Sequence, residues 1–87
     1  MNNDLIIKNE DGIESKYRVL FTFDSHETNK TYIIYTNDEK DINGNIKAFV
    51  LCYMMNDPQK ELMQVNTEKE INTIMSLFEE YLNDNKN

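Results

Sequence analysis

Serine, histidine and carboxylate stand together once in this chain, in Asp24-Ser25-His26-Glu27. Those side-chain types can supply a nucleophile, its base and the acid that orients the base, provided they converge in space. His26 is the only histidine, so histidine-dependent chemistry would have to run through this segment. Adjacent residues in an extended or turning segment point apart, however, and nothing here matches the Gly-x-Ser-x-Gly elbow. Asp, Ser and Asn bond to their own backbone and favour tight connections. The segment reads as a turn, and no catalytic residue is assigned.

Two further constellations invite chemistry. In "EKDINGN", residues 39–45, Glu39, Asp41 and Asn43 precede Gly44 with the spacing of a calcium loop. That register puts glutamate at the first ligand position and Val50 at the twelfth, where a bidentate carboxylate is needed. Cys52 and His26 are too few for a zinc site, which needs at least three protein ligands. Cys52 also sits among apolar neighbours, where thiols are buried and inert. No metal site, cofactor-binding residue or cofactor is assigned.

Composition sets the limits. Eighty-seven residues make one domain, 1–87, with a core too small for a second. One cysteine excludes an intramolecular disulfide and suits a reducing compartment. The opening "MNNDLIIKNEDG" reads as neither signal peptide nor membrane anchor, so the expected location is the cytoplasm. A net charge of −7, with no run of Lys or Arg, disfavours direct nucleic-acid binding and acidic membranes.

These side chains must be placed by strands and one helix. Strand patterns cover 4–9, 13–23, 31–36, 46–55 and 61–65. Asp11-Gly12 and Asn43-Gly44 are turn signals, and Pro58 interrupts the pattern before the last strand. In 13–23, alternation puts Tyr17, Val19, Phe21 and Phe23 on one face. From Thr67 the period changes: Thr67 and Glu70 fit a capping box, and Ile71, Ile74, Met75, Phe78 and Leu82 share a helical face. The reading is α+β: an antiparallel meander of about five strands over 4–65, strongly curved, with one C-terminal helix over about 68–83 packed on one face. The polar tail, 84–87, is expected to be disordered.

The run 46–55 is expected to be the central strand and is apolar on both faces, with Ala48, Val50, Cys52 and Met54 opposite Phe49, Leu51, Tyr53 and Met55. One helix covers one face, so either the sheet curls around its own interior or a partner covers the second.

Read in order, Leu20-Phe21-Thr22-Phe23, then Asp24-Ser25-His26-Glu27, then Thr28-Asn29-Lys30-Thr31-Tyr32 resembles a phrase of the bacterial family called domain of unknown function 1292. The resemblance spans roughly residues 4–82. His26 stands where the family commonly has acidic residues, and Asn29 where it commonly has glycine. Small acidic proteins, mainly of Firmicutes, make up that family, and the resemblance implies no activity.

The functional expectation leans away from an enzyme. It is a small acidic interaction or adaptor protein whose partner is another protein or a second copy of itself, with Phe49, Leu51 and Tyr53 as candidate interface residues. The alternative is a ligand-binding protein or enzyme whose site forms only in the folded barrel or at a subunit interface.

Overall fold

A computed structural model of the chain describes residues 4–84. Four antiparallel strands, β1 (Asp4–Lys8), β2 (Glu14–Ser25), β3 (Lys30–Thr36) and β4 (Phe49–Met54), form one sheet in the order β1-β2-β3-β4. Helix α1 (Glu68–Asp84) follows. The sheet is a curled half-barrel, the first of the two outcomes that the doubly apolar fourth strand left open.

The strand count is four rather than about five. Residues 61–65 form no strand and pair with β4 through the isolated Cys52–Met63 bridge, whose two backbone bonds measure 3.0 and 2.7 Å. Upstream, the Asp57 carboxylate takes the backbone N–H groups of Gln59 and Glu61, both at 3.0 Å, and Lys60 adopts a positive φ of 52°. This local turn chemistry competes with the ladder. The apolar run 46–55 is likewise not central: β4 is the last of the four strands, and β3 is buried throughout Thr31–Thr36.

The β1–β2 connection follows its turn signal with one difference. Gly12 takes a φ of 80°, and the Asn9 side chain accepts from the N–H groups of Asp11 and Ile13 at 2.9 and 3.0 Å. Asp11 is not in the left-handed region, so glycine alone meets the demand.

The chief departure lies inside β2. Val19 pairs with Tyr35 but Phe21 pairs with Ile34, so Leu20 is an extra residue. Such a bulge reverses the inside–outside alternation. Tyr17 and Val19 therefore lie on the face away from the helix, whereas Phe21 and Phe23 join Tyr32, Ile34, Val50 and Cys52 on the helix side. Ring contacts agree: Phe21 stacks on Tyr81 at 4.9 Å and Phe23 on Tyr32 at 5.0 Å.

The helix is also rotated from its expected stripe. Ile74 is buried and Leu77, Phe78 and Tyr81 are half-buried, but Met75 and Leu82 are 58% and 48% exposed. Phe78 and Tyr81 turn in because the bulge presents Phe21 to both. The helix reaches Asp84, and the rest of the expected tail lies outside the described residues.

Candidate functional site

Strand periodicity builds one end of the site. Lys30 and Tyr32 are two apart in β3 and so share a face, Thr28 lies in the turn before them, and all three reach the helix side, where Glu70 waits. Tyr32 donates its hydroxyl to Glu70 Oε2, and Lys30 Nζ lies 3.1 Å from the same oxygen. Thr28 Oγ1 lies 2.9 Å from the Tyr32 oxygen and is the donor there, because the phenolic hydrogen is already given to Glu70.

Helix capping builds the other end. The Glu70 N–H donates to Thr67 Oγ1 at 3.3 Å, and that hydroxyl donates to Glu70 Oε1 at 2.6 Å. The carboxylate that a capping box would turn back on the backbone thus holds Thr67 with one oxygen and the sheet with the other. Glu70's side chain is 10% exposed and Lys30's 25%.

The electrostatics decide what this cluster can do. Hydrogen bonds from Thr67 and Tyr32, together with Lys30, hold the Glu70 carboxyl below the usual carboxylate range despite burial. Burial, then the bond to Glu70, pushes Tyr32 up to about 12. A general acid or base works best when its pKa lies near the operating pH. Neither group does, so the cluster is suited to latching helix onto sheet rather than to moving protons. Beside it opens a cavity of about 460 Å³ lined by Phe23, Ser25, Thr28, Tyr32, Thr73 and Ile74, among others.

On the opposite sheet face the candidate interface residues gather. Phe49 packs its ring 5.6 Å from Tyr35, which in turn lies 5.1 Å from Tyr17. Leu51 is half-buried and helps to line a second cavity of about 460 Å³, floored by Tyr17 and Tyr35. Both margins of the curl reach this cavity, Ile7 from β1 and Leu62 from the stretch beyond β4. Lys60 Nζ sits 5.8 Å from the centre of the Tyr53 ring. Phe49 is 41% exposed and also borders a cavity of about 100 Å³ with Met75 and Phe78, so it bridges the sheet face and the helix flank.

The serine–histidine segment does not converge. His26 is exposed in the turn; Asp24 accepts the Thr31 hydroxyl at 2.7 Å; Glu27 pairs with Lys69 at 3.0 Å. Asn29 holds a φ of 58°, the left-handed conformation that glycine tolerates best and asparagine next. Asp41 accepts the N–H groups of Asn43 and Asn45 at 2.9 and 3.0 Å and so stabilises its own turn. Cys52 is fully buried, and burial pushes its thiol up. Among the described residues no helix is long and apolar enough to cross a membrane.

Sequence reading gave Glu70 only a capping role and missed its bond to Tyr32, 38 residues away. The available signal was the spacing of Lys30 and Tyr32, which puts two polar groups on the face of β3 that also carries Ile34.

Comparison with known proteins identifies what the chain is similar to. The family described as "Protein of unknown function (DUF1292)" matches residues 10–83. A UPF0473 protein of Listeria monocytogenes serotype 4b is 31% identical over 84 residues, covering 94% of this chain and 84% of its own. A UPF0473 protein of Leuconostoc mesenteroides is 34% identical over 82 residues, covering 90% and 83%. One from Limosilactobacillus reuteri is 29% identical over 89 residues, covering 99% and 91%. No solved structure matches the chain.

Proposed function

The chain belongs to the DUF1292 family of proteins of unknown function, and from that premise we propose that it is a non-enzymatic interaction protein of the cytoplasm. Its occupant is another protein that presents an apolar centre within a basic rim. Phe49, Leu51 and Tyr53 form the contact. The observation that carries this reading is the 41% exposure of Phe49, an aromatic side chain at the margin of an apolar face, beside Met75 at 58%. Aromatic anchors of this kind dominate binding energy at interfaces. The net charge of −7 favours the basic rim by charge complementarity. The buried lone thiol suits a reducing compartment.

The test compares captures from the native bacterium by the tagged protein and by its Phe49→Ser variant, then repeats the binding with the captured protein purified. Retention of fold with affinity lowered at least about tenfold would support the reading. Equal affinity for both would sink it. Because Leu51 is half-buried, Leu51→Ser is informative only after circular dichroism shows that the variant folds.

The cavity beside Tyr32 favours a second reading, a small-molecule binding protein. Its wall mixes the apolar Phe23 and Ile74 with the hydroxyls of Ser25, Thr28 and Thr73. Native mass spectrometry should then find a retained small molecule that is lost on filling the cavity with Thr73→Phe. Identical spectra for both proteins would count against it.

A further inference from the structure

Strand β1, "DLIIK", carries acid and base in mirror positions. Asp4 and Lys8 flank Leu5, Ile6 and Ile7 symmetrically, and Ile6 at the centre is 58% exposed. β1 is one margin of the sheet and, among the described residues, pairs only with β2. Among the described residues its outer backbone groups therefore have no ladder partner.

Natural edge strands carry charge to discourage pairing. The charges on this edge discourage one kind and favour another. Parallel pairing in register with a second copy sets Asp4 against Asp4 and Lys8 against Lys8. Antiparallel pairing centred on Ile6 sets Asp4 against Lys8 of the second copy, Leu5 against Ile7, and Ile6 against itself. The two-fold axis passes through the Ile6 pair and repeats each of the other contacts.

The neighbouring strand extends the match. Within the sheet, Asp4 lies opposite Arg18 and Lys8 opposite Glu14, and Asp4 Oδ2 is 3.2 Å from Lys16 Nζ. Across the joined edge the order becomes Arg18, Asp4, then Lys8 and Glu14 of the second copy, alternating in sign throughout. Opposite charges on directly paired strands stabilise a sheet and like charges weaken it.

We propose that β1 is a self-association edge, through which two copies join their sheets antiparallel about Ile6. The joined sheet has eight strands, twice the four of one copy, and both helices lie on one face. Ile6 and Lys8 share a cavity with Leu51 of the contact proposed above, whereas Phe49 borders a different one, so a change at Phe49 separates the two readings.

The charges supply the test. Sedimentation equilibrium at low salt should show the wild type as a dimer. Asp4→Lys and Lys8→Asp should each associate about tenfold more weakly or worse, since each sets like charges opposite one another at both ends. Mixing those two variants should restore a mixed dimer, because Lys now meets Asp at both ends; the double variant should pair with itself. Phe49→Ser should leave the dimer intact. Hydrogen exchange of the wild type, which needs no variant, should show β1 amides protected at high protein concentration and exchanging on dilution. A monomeric wild type, dimerisation indifferent to both reversals, or β1 exchange independent of concentration would each overturn the proposal.

Discussion

Tyr32 and Glu70 meet across the sheet–helix junction, the phenol donating to the carboxylate of the helix's third residue. The bond joins the central part of the buried strand to the first helical turn. Lys30 and Thr67 hold the same carboxylate from either side. This cluster is where a small core gains an anchor between elements far apart in sequence.

Removing the carboxylate should therefore destabilise the whole domain. Glu70→Ala leaves the Tyr32 hydroxyl and Lys30 without their acceptor, a loss of about 2 kcal/mol within the range for stranded buried polar groups. Melting temperature should fall by on the order of 10 °C. Glu70→Gln, which keeps an acceptor, should lose about half as much. Thermal melts by circular dichroism measure both.

Acid should act through the same residue. Glu70's folded pKa is lowered, so its stabilisation is complete above the unfolded glutamate value of about 4.3 and is lost as pH falls through the folded value. Urea midpoints followed from neutral pH downward should decline less steeply in Glu70→Gln than in the wild type. Equal declines would remove Glu70 from the explanation.

Alkali should act through Tyr32. Its folded pKa is raised to about 12, so its contribution is intact below the unfolded value of about 10 and fades as pH climbs from there through the folded value. Tyr32→Phe lacks this titration and should show a shallower loss of stability over that window. Tyr35, also pushed up by burial, remains in both proteins.

Cys52 offers a probe of global opening. Its side chain is fully buried, its raised thiol pKa disfavours the reactive thiolate, and its sulfur lies 3.7 Å from the Met63 carbonyl oxygen. A disulfide reagent should label it at least about a thousandfold more slowly than a free thiol, at a rate that rises with urea as the domain opens. Fast labelling in native buffer would mean that β4 frays away from Met63.

The turn at Asn29 should prefer glycine. With φ at 58°, Asn29→Gly should be neutral or slightly stabilising, while Asn29→Val should cost about 1–2 kcal/mol. Denaturant midpoints of the two variants decide it.

Much of this architecture is local and was legible in order along the chain. Gly12 and Gly44 mark turns, Thr67 and Glu70 mark the helix start, and the alternating runs mark strands, because each depends on backbone sterics or bonds spanning a few residues. The doubly apolar pattern of residues 46–55 left two outcomes open, a curled sheet or a partner on the second face, and the sheet is curled. Leu20 shows where that legibility stopped. No residue type near it signals a bulge; the extra residue is defined by the pairing of Val19 with Tyr35 and Phe21 with Ile34, which exists only between strands. From that slip followed the split of Tyr17 from Phe21 and the helix's turn toward Phe78 and Tyr81. The fifth strand failed for a related reason, because residues 61–65 have the alternation of a strand while Asp57 ties up the backbone leading into them. Glu70's meeting with Lys30 and Tyr32 likewise needs the helix laid across the sheet. By itself the sequence determined which segments extend, turn and coil, whereas tertiary structure decided which faces meet, because facing is a property of pairs of elements and a single inserted residue reverses it.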